Sequence, residues 1–464
     1  MPEPDHPHAA ALPPEAYIRP VDRPKMVALR VGFWLLVGFG AVALPFAVLL
    51  SGAVRPAPKG VLWDFAMGAG FAALALTALQ FALTGRIKWL TNPFGADIVY
   101  VFHRFLSWGA VALMALHFGV LYLWYQPALG ELNPLSARWE LTAGRVALLC
   151  FGLLIMTSEL RKWLKIEYHF WRVMHVMLAV TGFAAALAHV LGVGNYSAMA
   201  DTLALWLGVT VVWFGFVIWS RLIRPMVQMA HGWRVVANVA ERGGVHTLTL
   251  RPDGAGLRMW RPGQFAWLAV GNSPYTLREH PFTISSAPEQ GPEIAFSIKP
   301  LGDDSERLAK TPVGARAYVD GPFGTFTVDR EGDAAGFVMI AGGIGITPVM
   351  ANLAALCARG DRRRVILLYA NKTLEDAPFR EELAQMAREI DLKVVHVPEA
   401  APEGWQGEVG MIDADILARH LPAHSRDWPH MLCGPAPMTK AVIAALRRMG
   451  VPKWRIDLEA FEIV

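Results

Sequence analysis

The chain has 464 residues, of which 54% are hydrophobic, and it carries a formal net charge of +4 and three cysteines. Its mean hydropathy of +0.34 is high for a soluble protein, and the apolar excess lies before residue 225, which predicts a membrane part followed by a soluble part. The small, dispersed charge argues against nucleic acid as a partner, and Cys150, Cys357 and Cys433 lack the spacing of a disulfide framework.

Residues 1–28 are predicted to be a flexible tail, because they are rich in proline and offer little that could pack. Residues 29–225 are predicted to form a transmembrane domain of six α-helices. One of the six spans is weaker because Arg145 interrupts it, and it is counted because an even number of spans returns the chain to one side. The predicted spans are residues 31–54, 65–85, 98–125, 141–159, 170–193 and 199–220.

Positive residues are concentrated before the first span and after the second, fourth and sixth spans. The opposite loops hold few lysines and arginines. The positive-inside rule therefore predicts an integral protein of the inner or plasma membrane, with both termini and the soluble domains in the cytoplasm.

Four histidines lie in two of the spans with the same spacing: His103 and His117, and His175 and His189, are each fourteen residues apart. Fourteen residues make nearly four helical turns, so the members of a pair face the same way about 21 Å apart. A single polar side chain in a bundle often only bonds a neighbouring helix. The repeated spacing instead favours two stacked haems with bis-histidine ligation, and the orientation pairs His103 with His175 near the inner face and His117 with His189 near the outer face.

Three arginines lie close to these predicted haem sites. Arg104 and Arg172 flank the inner pair and are either partners of haem propionates or ordinary interfacial charges. Arg145, in the outer half of the fourth span, could hold an outer-haem propionate, steer an anionic acceptor, or extend to the interface.

The soluble part has two patterns. Short alternating runs with glycine and proline turns over residues 232–330 predict a small antiparallel barrel, placed in a domain of residues 226–331. Strand and helix patterns then alternate over residues 335–464, which predicts a parallel sheet wrapped by helices in a domain of residues 332–464.

A glycine turn follows the first predicted strand of this second domain. Gly342, Gly343 and Gly345 would let backbone N–H groups approach a phosphate, and a helix N-terminus beyond them favours negative charge. Thr347 is predicted to be the N-cap of that helix and Pro348 its first residue. The position between strand and helix predicts a dinucleotide site.

Two further motifs complete the pattern. Cys433-Gly434-Pro435 ends a later strand at the carboxyl edge of the sheet, although Cys433 by itself would be read as a buried, inert thiol. His280-Pro281-Phe282-Thr283, ahead of the glycine turn, is similar to the flavin–nicotinamide module of the ferredoxin reductase superfamily. Joined to six spans with paired histidines, residues 29–464 resemble the transmembrane ferric reductase and NADPH oxidase family.

The resemblance implies two b-type haems on the four histidines, FAD on the barrel, and NADPH or NADH on the α/β domain. It also implies that Thr283 hydrogen-bonds the flavin ring and that Cys433 and an aromatic Phe461 act near the reacting atoms, although Ile463 could cover the flavin instead. Lys372 would favour NADPH weakly through the 2′-phosphate. The remaining residues that the resemblance places against FAD or the nucleotide are His280, Pro281, Phe282, Ser297, Ile298, Lys299, Ser305, Gly434 and Pro435.

The expected function is electron transfer from NAD(P)H through FAD and two haems to an acceptor outside the cytoplasm, either O₂, giving superoxide, or a ferric chelate. No obligatory protein partner is expected. Two alternatives remain at this point: a dehydrogenase that reduces membrane quinone, and a haem-bearing membrane sensor or carrier without enzymatic activity.

Overall fold

A computed structural model describes residues 23–50, 59–86, 96–131, 133, 135–198, 200–254, 256–257, 259–271, 273–276 and 278–459. Residues 27–91 and 98–225 form one compact unit, and residues 226–464 form most of a second. The predicted tail lies outside the described residues as far as residue 22. Its predicted end at residue 28 was wrong, because the first helix already begins at Arg23.

The first unit is a bundle of long apolar helices. Among the described residues, five stretches are long and apolar enough to cross a membrane, and the apolar stretch of the first helix is shorter, Val31–Ala47, so the sixth span stays a prediction. The long helices are α1 (Arg23–Leu50), α2 (Val61–Thr84), α3 (Ala96–Trp124), α4 (Trp139–Glu159), α5 (Tyr168–Val193) and α6 (Ala200–Ile218).

The helix of the last span continues beyond its predicted end at residue 220. A π-helical turn, Trp219–Ile223, follows α6 directly and leads into another α-helical segment, Arg224–Ala230. Pro225, which has no N–H to donate, lies inside this continuation of the helix. The π-turn accommodates this proline, because its wider hydrogen bonds, such as Arg224 N to Trp219 O, change the register of the helix just before it.

The side chains of this unit divide into an inner core and an apolar exterior. Phe183 is fully enclosed and packs against Phe81 and Trp213 at the centre of the bundle. On the outside, Phe39 and Phe105 are 71% and 72% exposed. Such large apolar side chains facing outward are typical of a surface that contacts lipid.

The second unit begins with an antiparallel sheet of six strands in the order β4-β3-β6-β1-β2-β5. A bridge between Ile284 and Phe296 brings its two ends together beyond β4, and fully buried side chains such as Leu248 and Leu268 fill its interior. Helix α7 (Asp303–Ala309) lies between β5 and β6 in the chain. The strands are β1 (Trp233–Ala240), β2 (His246–Pro252), β3 (Phe265–Val270), β4 (His280–Thr283), β5 (Ile294–Ile298) and β6 (Arg316–Phe323).

A parallel sheet with helices on both faces follows, in the strand order β11-β10-β7-β8-β9. Along β7, Phe337 and Met339 point into one core and Val338 and Ile340 into the other, which explains the continuous apolar run of this strand. The strands are β7 (Gly336–Gly342), β8 (Arg364–Asn371), β9 (Leu392–Pro398), β10 (His430–Cys433) and β11 (Ile456–Glu459), and the helices are α8 (Ile346–Ala358), α9 (Arg380–Glu389), α10 (Ala414–His420) and α11 (Ala436–Arg448).

The buried amide of Asn352 joins the two sheets of this unit. From α8, its Oδ1 accepts from Val328 N at 2.8 Å, and its Nδ2 donates to Phe326 O at 3.3 Å and to Pro348 O at 2.7 Å. Phe326 and Val328 both belong to the connection that leads from the antiparallel sheet to β7. Because every group of the amide is satisfied, the connection is held against α8 at a defined place.

Candidate functional site

The structure brings the four histidines together in the bundle. The imidazole rings of His103 on α3 and His175 on α5 lie 6.3 Å apart between centroids, and Trp171 packs against His175 with a centroid distance of 5.0 Å. His117 and His189 lie fourteen residues further along the same two helices. The inner pair therefore forms across the two helices.

The outer histidines share one hydrogen-bonding arrangement. His117 Nδ1 lies 2.9 Å from Ala66 O on α2, and His189 Nδ1 lies 2.8 Å from Glu140 O on α4. A carbonyl oxygen only accepts hydrogen bonds, so Nδ1 is the donor in both rings. In a neutral imidazole, the other nitrogen, Nε2, then carries a free lone pair.

His175 in the inner pair is held in the same tautomer by a side chain. Ser158 Oγ donates to Leu154 O at 2.7 Å and lies 3.2 Å from His175 Nδ1. Because the hydroxyl proton of Ser158 is already committed, the oxygen accepts and His175 Nδ1 donates. Nε2 of this ring is also left available as a ligand.

Two glycines make room for the outer rings. A Cβ added at Gly70 on α2 would lie 3.0 Å from His117 Nδ1, and one added at Gly144 on α4 would lie 2.8 Å from His189 Nδ1. Any larger residue would have to displace the imidazole. The neighbouring helices are therefore shaped around the histidines.

These observations fit a bis-histidine haem. Two imidazoles that bind one metal ion through Nε2 at about 2 Å have ring centroids roughly 6 Å apart, as the inner rings do. A hydrogen bond from Nδ1 to an acceptor is the usual arrangement of a histidine that binds a metal. Among the described residues, no three or more His, Cys, Asp or Glu side chains cluster as a metal site, and a haem needs only two axial ligands from the protein.

The three arginines have local partners. Arg104 binds Glu159 at the end of α4 through two hydrogen bonds of 3.2 and 2.8 Å, so a haem propionate would compete with that carboxylate. Arg145 donates to Leu129 O and Glu131 O at 2.8 and 2.6 Å, in the segment between α3 and α4, which was not among the roles expected for it. Arg172 is half-buried in the first turns of α5. Roles toward propionates or an acceptor stay predictions.

The glycine turn and the Cys-Gly-Pro motif meet at one edge of the parallel sheet. Strands β7 and β10 are neighbours, with Cys433 opposite Ala341, and both motifs follow the carboxyl ends of these strands. The chain leaves β7 toward β8 on one side and returns to β10 on the other. Ligands of open α/β sheets bind at such a switch point.

Backbone groups approach each other closely at this edge. A Cβ at Gly345 would collide with Cys433 O, and one at Gly342 would lie 2.8 Å from Met438 Sδ. Gly343 has a φ of 54°, in the left-handed region that suits glycine. These positions leave only backbone at the surface where phosphates would lie.

Two expectations at this edge need correction. Thr347 is not the N-cap and Pro348 is not the first helical residue, because a 3₁₀ turn over Gly343–Gly345 leads directly into α8 at Ile346, and Thr347 Oγ1 donates to Ile344 O at 3.1 Å. Cys433 is fully buried, and burial raises the pKa of its thiol well above the ordinary value. Its catalytic role stays a prediction, and the motif offers backbone rather than sulfur at the edge.

The predicted flavin-binding residues lie on the edge strand β4. Thr283 Oγ1 is buried and has no hydrogen-bond partner among the described residues, as a hydroxyl reserved for a ligand would be. His280 Nε2 lies 3.2 Å from Asp304 Oδ2 on α7. Asp304 belongs to residues 297–305, the pyrophosphate segment, which the resemblance implies would hold a pyrophosphate. Pro281 and Phe282 are half-buried between them. This strand fits a flavin.

The pyrophosphate segment fits less uniformly. Ser297 Oγ bonds Thr247 Oγ1 and Ser285 Oγ, both at 3.0 Å, and Ile298 is fully buried, so these two residues could offer only backbone. Ser305 Oγ accepts from Leu301 N and Gly302 N at the start of α7. Of the segment, Lys299 is the partly exposed cation, and the assignments stay predictions.

The remaining predicted residues either follow strands of the parallel sheet or lie outside the described part of the chain. Lys372 is exposed directly after β8, where its carbonyl accepts from Ala400 N at 2.9 Å. Phe461 and Ile463 lie outside the described residues. Gly434 and Pro435 follow β10 and precede α11.

Sequence comparisons assign each part of this arrangement to a family. Residues 69–186 match the family described as ferric reductase like transmembrane component, residues 244–327 match an FAD-binding domain, and residues 339–443 match the oxidoreductase NAD-binding domain. The chain has the domain architecture of ferric reductases and NADPH oxidases. In this ferric reductase-like chain the transmembrane match includes His103, His117 and His175 and ends three residues before His189.

Individual relatives match part of the chain. NADH-cytochrome b5 reductase 1 of Pyricularia oryzae is 37% identical over 180 residues, which is 38% of this chain and 58% of the relative. The Arabidopsis thaliana protein of the same name is 34% identical over 161 residues, 34% of this chain and 57% of the relative. The chain therefore spans less than two thirds of the curated relatives that it matches.

Solved structures resemble about half of the chain. The cytochrome b5 reductase domain of Ulva prolifera nitrate reductase has a TM-score of 0.44 and 23% identity, covering 50% of this chain and 98% of that domain. A ferredoxin reductase of carbazole 1,9a-dioxygenase has a TM-score of 0.43 and 27% identity, covering 50% and 69%.

Sequence reasoning missed the residues that hold the histidines. Ala66, Gly70, Gly144 and Ser158 come from α2 and α4, and small residues in an apolar span give no local signal. A lone amide in α2, Gln80, does stand out, since buried polar groups in spans need partners. It was a detectable sign that α2 lies against the histidines of α3.

Proposed function

We propose that this protein is a transmembrane oxidoreductase that passes electrons from cytoplasmic NAD(P)H through FAD and two b-type haems to an acceptor on the other side of the membrane, either O₂, giving superoxide, or a ferric chelate. The observation that carries the proposal is the inner pair, with His103 and His175 rings 6.3 Å apart and Nδ1 of His175 held as a donor. The family architecture around it supplies the donor side.

When bound, the flavin accepts a hydride from NAD(P)H and the haem irons accept electrons singly. The glycine turn at Gly342–Gly345 would hold the nucleotide phosphates through backbone N–H groups. The buried hydroxyl of Thr283 would orient the flavin. The histidines would hold the haems through Nε2, and the haems would supply one-electron transfer between the flavin and the acceptor.

The loop charges support the direction. Arg161, Lys162 and Lys165 lie between α4 and α5, at the ends of the helices near His103 and His175. Positive loops stay in the cytoplasm. The inner histidine pair would therefore face the flavin side. For each electron that crosses to the outer pair, the electrostatic energy would change by about 2.3 kcal/mol per 100 mV of membrane potential.

The decisive experiment uses the purified protein in lipid nanodiscs under anaerobic conditions. NADPH should reduce the haem absorbance bands of the wild type. His175→Ala should remove one haem, block reduction of the other by NADPH, and leave reduction by dithionite intact. His169→Ala is the matched control, because this histidine lies on the same helix outside both pairs and should leave haem content and reduction unchanged.

The acceptor is tested in the same preparation. Reduced protein is mixed in parallel with O₂ and with a ferric chelate, and the rates of haem oxidation are compared. Absence of haem from the wild type, or haems that NADPH does not reduce, would contradict the proposal.

A further inference from the structure

Gln80 is a buried amide near the C-terminal end of α2, a helix that is mostly apolar. It is 8% exposed and lies in α2, which is long and apolar enough to cross a membrane. Burying an amide without hydrogen bonds costs roughly 2–7 kcal/mol. Its contacts on α3, with His103 and Ser107, therefore require an explanation.

The amide takes part in a closed chain of hydrogen bonds. Gln80 Nε2 donates to Ser107 Oγ at 2.8 Å, and Ser107 Oγ donates to His103 O at 2.8 Å. Gln80 Oε1 then lies against His103 Nδ1. With a proton on His103 Nδ1, this contact is a hydrogen bond to Oε1, although Oε1 then also lies 3.2 Å from His103 O and Nε2 lies 2.9 Å from Ser107 N.

The amide has a second orientation, with oxygen and nitrogen exchanged. In it Gln80 Nε2 lies against His103 Nδ1 and 3.2 Å from His103 O, and Oε1 accepts from Ser107 Oγ at 2.8 Å. This orientation requires an unprotonated Nδ1 and so moves the proton to Nε2. A protonated Nε2 cannot bind a metal ion.

The other three histidines decide between the two orientations. His117, His175 and His189 all donate from Nδ1 to an oxygen, by the partners described above. Moreover, His103 faces His175 at a separation that fits one shared metal. Both observations favour the orientation in which Gln80 Oε1 accepts from His103 Nδ1.

We propose that Gln80 is a positioning residue of the inner haem: its amide oxygen fixes the tautomer of His103 and sets the reduction potential of the haem bound there. The inference rests on the proposed function for the presence of that haem. An acceptor on Nδ1–H raises the basicity of Nε2 as a ligand. A more basic ligand stabilises ferric iron relative to ferrous iron and lowers the potential.

The outer pair lacks this dependence. Its Nδ1 groups donate to the backbone oxygens of Ala66 and Glu140, which no side-chain substitution removes. Substitution of Gln80 should therefore change one of the two haems selectively.

The test is an anaerobic redox titration of the full-length protein in nanodiscs, followed through its haem absorbance. Gln80→Leu removes the acceptor and should raise the potential of one component, whereas Gln80→Glu offers a stronger acceptor and should lower it. We expect at least a tenfold change in the ferric-to-ferrous ratio, which is 59 mV for one electron. The His175→Ala protein, which retains the outer haem, identifies the component that should stay constant.

Thr77→Val is the matched control. Thr77 is buried one turn from Gln80 on α2, and its hydroxyl donates to Ala73 O of its own helix at 2.8 Å. Both potentials should stay at wild-type values. If Gln80→Leu fails to retain the inner haem, the test rests on Gln80→Glu, in which the reduction potential of that haem should fall. Two loaded haems with unchanged potentials in Gln80→Glu would overturn the inference, whereas a wild type without haem would instead overturn the proposed function.

Discussion

The sharpest prediction on the second unit concerns a buried ion pair beside the segment that the Asn352 amide holds. Arg359, at the end of α8, binds Glu289 through Nε at 2.6 Å and Asp329 through Nη1. Both carboxylates belong to the flavin-binding part, and the Asp329 side chain is fully buried. Arg359→Met removes the charge and keeps much of the length of the side chain.

The magnitude follows from burial. Removing one partner of a buried pair costs about 3–5 kcal/mol, because an uncompensated charge is left behind. The Arg359 side chain is 24% exposed, so we expect the lower end of this range. A cost of about 3 kcal/mol corresponds to roughly a hundredfold increase in local opening, at about 1.4 kcal/mol per factor of ten.

Amide hydrogen exchange of the full-length protein measures this opening directly. The peptide over residues 326–330 should lose about two decades of protection in Arg359→Met. Replacing all three charged residues by apolar ones, Arg359→Met with Asp329→Leu and Glu289→Met, should recover most of it, because such replacements are often neutral.

Arg242→Met is the matched control for that experiment. Arg242 binds Glu381 across the same two parts of the unit at 2.6 Å, but the side chains are 41% and 59% exposed. Exposed pairs contribute little to stability, because water and salt screen the two charges. Equal loss of protection in Arg242→Met and Arg359→Met would refute the reasoning from burial.

Three further predictions concern separate sites. Gly144→Ala places a Cβ 2.8 Å from Nδ1 of His189, so a haemochrome assay should find one haem per chain. The control Gly152→Ala, with nothing within 4 Å of the added Cβ, should keep both haems. Two haems in both variants would contradict this prediction. Lys372→Ala should raise the KM for NADPH about tenfold and leave that for NADH unchanged; equal changes would exclude a contact with the 2′-phosphate. The hydrogen bond from Arg419 holds the pKa of Glu408 down to about 2, so its contribution to stability is complete above its ordinary 4.5 and is lost as the pH falls toward 2. Glu408→Gln should lower the melting temperature at pH 7 and have little effect near pH 2; a constant effect would argue against the ion pair.

The sequence predicted those features of the fold that follow from the local periodicity of apolar residues. The strands around Leu248 and Leu268, the parallel sheet, and the facing of His103 and His117 follow from repeats of two or 3.6 residues that each segment carries by itself. The helix of the last predicted span, residues 199–220, continues to Ala230 through a π-helical turn before Pro225, which the local periodicity did not indicate.

Contacts between distant segments could not be predicted in this way. Gly70 and Gly144 are ordinary small residues until a histidine from another helix lies against them. The N-cap prediction at Thr347 was wrong for a related reason, since the path of the turn depends on close approach to Cys433. The orientation of an amide such as that of Gln80 depends on three residues on two helices.

Helix α2 contacts both histidines of α3, through Ala66 and Gln80, and these two residues are themselves fourteen apart. Ala66 and Gln80 therefore lie on one face of α2, in the same phase of the helix as His103 and His117 on α3. Insertion of a single residue between the two contacts would rotate one of them by about 100° around the helix axis. Substitutions on the lipid-facing side of α2 leave that phase intact, whereas any change in the length of this interval breaks it, so the spacing constrains insertions and deletions more strictly than it constrains residue type.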